Sequence, residues 1–125
     1  MSKIDSEVLY LILTKVAARE KFYNYDPALL PSGQAPGTIT HRQLGEVYER
    51  VTGNRMSIRT NWNPPLDQLN TLLGQCRLPS LSPLLLTSAE AAAGPPPERA
   101  RELEKVHSMK WPLFSALKML YRRSE

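Results

Sequence analysis

The sequence predicts a mainly α-helical domain with a small β component, ordered helix, strand, helix, helix, strand and closed by two additional C-terminal helices. Three observations predict it. Apolar residues recur at helical spacing in five stretches. Capping and terminating residues stand at the ends of several of these stretches. Between them, ten of the eleven prolines gather at positions 27–36, 64–65, 79–83 and 95–97 and cut the chain into segments.

The first helix is expected from Lys3 to Phe22. Ile4, Val8, Leu11, Ile12 and Val16 recur on one stripe, which Leu9 and Leu13 widen. Ser2 is positioned to cap it, and Asp5 and Glu7 oppose the positive end of the helix dipole. Asn24 to Gly37 carries no period and reads as a loop whose aromatics Phe22, Tyr23 and Tyr25 pin it to the core. Thr38-Ile39-Thr40 is a short strand, and Thr40 with Gln43 forms a capping box for the second helix. Leu44, Val47, Tyr48 and Val51 give that helix an apolar face, and Gly53 ends it.

Asn54 to Trp62 is a connector holding Arg55 and Arg59. Asn63 as cap and Pro64 at the first helical position open the third helix. Leu66, Leu69, Leu72, Leu73 and Cys76 line its inner face; Asp67, Gln68, Asn70, Thr71 and Gln75 line its outer face. Leu78-Pro79 ends it, Pro83 to Thr87 reads as a buried strand, and Ser88 to Pro97 as a small-residue loop. Glu98 to His107 and Pro112 to Arg122 are the last two helices, with Trp111 at their junction.

A chain of 125 residues holds one hydrophobic core. It divides into an N-terminal helix and proline-rich loop (1–37), a central unit (38–97) and C-terminal helices (98–125). A single cysteine, Cys76, permits no internal disulfide, so a reducing, cytoplasmic setting is expected. The apolar run Val8 to Leu13 is too short to span a membrane. The net charge of +4 is unevenly placed. Residues 1–38 balance four basic side chains with four acidic ones, 39–77 carry five against three, and 98–125 carry seven against four. A surplus in the centre and at the C-terminal end suits a polyanion or an acidic protein surface.

Three stretches carry a family resemblance. Gly37-Thr38-Ile39-Thr40-His41-Arg42-Gln43-Leu44-Gly45 resembles the G-x-I-T-Y-x-x-L-A opening of small winged-helix domains. Those domains occur in phage, prophage and mobile-element proteins and, more loosely, in the DNA-binding half of alkylguanine transferases. Cys76-Arg77-Leu78-Pro79-Ser80-Leu81-Ser82-Pro83-Leu84-Leu85 is similar to their C-x-L-P-x-L-x-x-L-V run. Glu104 to Trp111 resembles an E-K-V-x-x-x-x-W segment of the first group. The resemblance implies a winged-helix arrangement and DNA binding across residues 37–111. It does not imply alkyl transfer: Cys76 lies between Gln75 and Arg77, where those enzymes have Pro-Cys-His-Arg.

No nucleophile and base lie close in sequence, no glycine-rich phosphate loop is present, and the two histidines and one cysteine lack ligand spacing. The expected protein is therefore not an enzyme and needs no metal or cofactor. Cys76 falls in register with the leucines and reads as a packing residue; a reactive thiol is the competing reading. Glu46 with Arg50, and Glu98, Arg101, Glu102 and Lys105, read as ordinary helix-surface ion pairs. Lys118, Arg122 and Arg123 either contact phosphate or oppose the negative end of the last helix.

The candidate binding residues are His41, Arg42, Arg55, Arg59, Gln68, Asn70, Thr71, Gln75 and Arg77. Amide and hydroxyl side chains on the third helix have the chemistry to reach base edges, and the flanking arginines to hold phosphates. The competing reading of the same stripe is the solvated face of a core helix. His41 at a helix start suits a neutral hydrogen-bonding role or a phosphate contact. Two functions follow: a DNA-binding protein of phage or mobile-element type, or a protein-binding inhibitor or adaptor of anti-defence or immunity type that meets an acidic surface.

Overall fold

The computed structural model describes residues 4–31, 33–56, 60–94 and 96–117. Along it run α1 (Ser6–Ala17), β1 (Ile39–Thr40), α2 (His41–Thr52), α3 (Asn63–Gln75), a 3-10 turn (Ser82–Leu84), β2 (Leu85–Leu86), α4 (Ser88–Ala93) and α5 (Pro97–Ser108). The fold is mainly helical with one small sheet, as the sequence predicts. Residues 114–117 are also helical. The rest of the expected last helix, with Lys118, Arg122 and Arg123, lies outside the described residues, as do Ser2 and Arg59.

α1 is the axis of the core because its apolar residues cover most of its circumference. Leu9, Ile12, Leu13 and Val16 are fully buried, and α2, α3 and the 3-10 turn all pack on it. The helix is shorter than its apolar pattern suggested. Asp5, not Ser2, is the cap, accepting a hydrogen bond from the Glu7 amide at 2.9 Å. At the other end Arg19 adopts φ 57°; its amide bonds the Val16 carbonyl, and that of Glu20 bonds the Lys15 carbonyl. This paired, left-handed closure stops the helix at Ala17, well short of Phe22. Phe22 and Tyr25 then bond each other's backbones in a tight turn. Tyr25 is buried and donates to the Thr38 carbonyl at 2.8 Å, so it pins the loop as expected; Tyr23 instead points into solvent.

The capping box at α2 is formed, with the Gln43 amide on Thr40 Oγ1 at 3.1 Å and the Thr40 amide on Gln43 Oε1 at 3.0 Å. Buried Gln34 bonds Gln43 reciprocally, which fixes the loop to the start of α2. Gly53, at φ 75°, closes the helix as its position predicted. Trp62, 1% exposed, packs edge-on to Tyr48 at 5.5 Å and occupies the cap position of α3. The helix thus starts one residue earlier than expected: Asn63 is its first residue, not its cap. Leu66, Leu69 and Leu73 are buried along α3, with Leu72 and Cys76 at the edge of the core.

The two strands pair in parallel, Ile39 opposite Leu85 and Thr40 opposite Leu86. Parallel neighbours require a crossover, which α2 and α3 supply. The second strand is shorter than the expected Pro83–Thr87 run because Pro83 sits in the 3-10 turn, where the Leu84 amide reaches the Leu81 carbonyl. Ser88 to Ala93 corrects a loop expectation: it is α4, opened by a second capping box between Thr87 and Glu90. Glu90 also ion-pairs with Arg99 of α5 at 2.6 Å. Thr87's backbone hydrogen bond, aided by that guanidinium, holds the Glu90 carboxyl below its ordinary pKa. α5 is joined to the turn before β1 by His107 Nε2, 2.9 Å from the Gly37 carbonyl. Gly37 is required there: its φ is +80°, and a Cβ would overlap the His107 ring.

Candidate nucleic-acid interface

α3 presents an exposed polar stripe of Gln68, Thr71 and Gln75, spaced three and four residues apart, with Asp67 exposed beside it. The opposite stripe of leucines is locked into the core, so the polar one faces outward. Thr71 Oγ1 donates back to the Asp67 carbonyl at 2.9 Å, which orients its methyl and leaves the hydroxyl oxygen able to accept.

Asn70 does not belong to this stripe. Its Nδ2 donates to Ser82 Oγ at 2.7 Å, and its Oδ1 accepts from the Leu81 amide at 3.0 Å. Its amide fastens α3 to the 3-10 turn and is turned away from a ligand. The signal was present in the sequence, because Asn70 is four residues after Leu66 and three before Leu73, on the flank of the apolar stripe.

Arg77 stands just beyond α3, exposed, at φ 61°. The Leu78 amide bonds the Leu73 carbonyl at 2.8 Å and the Arg77 amide bonds that of Gly74 at 3.1 Å. Arginine thus occupies the left-handed position that glycine fills in most helices ended this way. The guanidinium is carried at the C-terminal tip of α3.

α2 has its own exposed stripe of Arg42, Glu46 and Arg50. Arg42 Nε lies 3.6 Å from Glu46 Oε1; the expected partner, Arg50, has no ion pair among the described residues. Arg50 instead shares with Arg55 a depression of about 460 Å³ at the C-terminal end of α2, lined also by Asn24, Asn54, Glu46 and Glu49. Arg50 was missed as a candidate because its spacing from Glu46 reads as an ordinary ion pair. Glu49 is anchored there by the Met56 amide, 2.6 Å from its Oε1. His41 is half-buried as the first residue of α2.

The structure therefore gathers Gln68, Thr71, Gln75 and Arg77 along α3, and Arg42, Arg50 and Arg55 along and beyond α2. Ten residues, 53–62, separate the two helices, against the three or four of a tight helix-turn-helix. Cys76 is half-buried, its thiol donating to the Leu117 carbonyl at 3.4 Å. No cluster of three or more histidine, cysteine or carboxylate side chains that could hold a metal occurs among the described residues. No described helix is long and apolar enough to cross a membrane. Comparison of the chain with protein-family models, curated proteins and solved structures gave no significant match.

Proposed function

We propose that this chain is a non-catalytic DNA-binding protein, of winged-helix type, that lays the outer face of α3 against the bases of a duplex. The observation that carries the reading is the exposed Gln68–Thr71–Gln75 stripe ending in the guanidinium of Arg77. Glutamine can bond the N6 and N7 edge of adenine bidentately, a threonine hydroxyl accepts or donates, and its methyl suits the thymine methyl. Arg42, Arg50 and Arg55 supply the sequence-independent phosphate contacts that set orientation. Asp67 beside this stripe disfavours close approach of phosphate near the start of α3, so the duplex backbone lies towards Arg77.

Two classes of variant test the reading by fluorescence anisotropy on a labelled duplex. Arg55→Ala and Arg77→Ala are expected to weaken binding alike on all sequences and to lower the salt slope by about 1 each. Gln68→Ala is expected to erase about 1–3 kcal/mol of discrimination at one base pair while leaving non-specific affinity in place. Identical behaviour of the two classes would sink the assignment of α3 as the reading helix.

A second reading, an inhibitor or adaptor docked on an acidic protein surface, is favoured by one observation. Arg50 and Arg55 line the same concavity, and planar guanidinium groups match carboxylates bidentately. In that case Arg50→Ala and Arg55→Ala remove binding to the partner while Gln68→Ala leaves it unchanged.

A further inference from the structure

We propose that two copies of this chain associate about a two-fold axis through the groove between α1 and residues 109–115, each seating its Leu113 in the groove of the other. The groove encloses about 790 Å³. One wall is the outer stripe of α1, with Glu7, Tyr10, Leu11 and Thr14; the other holds Trp111 and Phe114.

The two sides are fastened to each other through Tyr10 at the base of the groove. Tyr10 donates to the Pro112 carbonyl at 2.6 Å, and Trp111 Nε1 donates to the Val106 carbonyl at 3.0 Å. The Tyr10 ring packs against Phe114 at 5.6 Å and edge-on to Trp111 at 6.3 Å. Burial pushes the Tyr10 hydroxyl up to about 12, so it stays a donor throughout the physiological range.

A two-fold contact demands a surface that complements itself. This face has both halves of such a contact. Leu113, 78% exposed, lines the rim of the groove, and Leu11, 45% exposed, lines it as well. An exposed leucine on the rim of an apolar groove is a knob and its socket on one molecule. The charges are complementary as well. Glu7 and Lys110 both line the groove, and neither is in an ion pair among the described residues. The other lining cation, Lys15, is already 3.4 Å from Glu20. A two-fold axis brings Glu7 of one copy to Lys110 of the other twice. A foreign partner would need only the recess; the adjoining knob and the two opposite unpaired charges select a second copy.

The proposal is independent of the DNA reading, since it uses a different helix face and its test contains no nucleic acid. Sedimentation velocity on the full chain from about 1 to 300 µM spans a micromolar dissociation constant. The expected result is a rise from the 14.1 kDa monomer towards twice that mass. Leu113→Asp, exposed and so harmless to folding, is expected to weaken association at least about tenfold by removing a buried leucine. Glu7→Lys and Lys110→Glu are each expected to weaken it by about threefold to tenfold, and their combination to restore it. A monomer at every concentration overturns the proposal. So does a Leu113→Asp variant that associates like the wild type, or a double charge variant no better than the singles.

Discussion

α1 and α3 pack against each other, yet only α1 shows solvent a leucine and a flanking wall of aromatic rings. The outer stripe of α1 is Glu7, Leu11 and Thr14 beside a wall of aromatic rings, while that of α3 is Asp67, Gln68, Thr71 and Gln75. Their inner stripes are alike, leucine and isoleucine at zero to a few per cent exposure. What distinguishes the helices is thus not how they are held but what they show. A mainly apolar stripe is shielded by burying it against another surface, and salt acts on that association only through the rim charges Glu7 and Lys110. A polar stripe flanked by arginines binds through hydrogen bonds and phosphate contacts, and salt weakens it steeply. The proposed DNA contact and the proposed self-association thus call on faces of different composition.

The largest contrast between an inner and an outer position lies within α1. Leu13→Ala, at a fully buried position of α1, is expected to cost about 2–5 kcal/mol through lost transfer energy and a residual cavity. Leu11→Ala, one turn-face away and half in solvent, is expected to change stability by less than about 0.5 kcal/mol. Chemical denaturation of both variants checks the pair; equal losses would mean that Leu11 is part of the core.

The same inside-outside contrast exists within α3, at smaller cost. Asn70→Ala deprives the Leu81 amide and the Ser82 hydroxyl of their partner and is expected to lose about 1–3 kcal/mol. Gln68→Ala, on the outer stripe, is expected to lose almost no stability. Thermal unfolding monitored by circular dichroism separates the two. If both variants melt like the wild type, the amide of Asn70 does not hold the 3-10 turn to α3.

Arg77 gives the smallest effect and the sharpest opposition between fold and function. Its left-handed backbone disfavours an L side chain, so Arg77→Gly is expected to raise stability by about 1 kcal/mol. The same change removes the guanidinium at the tip of α3 and is expected to weaken DNA binding. A variant that is more stable and binds less well marks Arg77 as a residue kept for contact. A variant that loses stability contradicts the strained-backbone account.

How much of this was legible depends on the range of the interaction. The Thr40–Gln43 capping box and Gly53 were readable because each is complete within a few residues and precedes or follows an apolar period. The box at Thr87 and Glu90 has the same local chemistry, but the alanines after it carry no period, so α4 read as a loop. Its second support, Arg99, arrives from α5. The parallel pairing of Ile39 with Leu85 joins residues far apart in the chain and has no local signature. Among the candidate residues, Gln68, Thr71 and Gln75 were placed correctly on the outer face by periodicity alone. Asn70 was not, because its two partners lie on the turn after α3, and residue type was given more weight than its place beside Leu66 and Leu73. The groove was invisible, since its walls come from opposite ends of the chain.

The proposed contact of duplex DNA with the polar face of α3 and Arg77 is measurable on the unmodified chain. Anisotropy of a labelled generic duplex should report binding at about 50 mM salt. If about four phosphates are neutralised, affinity should fall roughly 100-fold by about 200 mM. No detectable binding to the duplex at about 50 mM salt would contradict the claim and leave the acidic protein surface as the partner of Arg50 and Arg55.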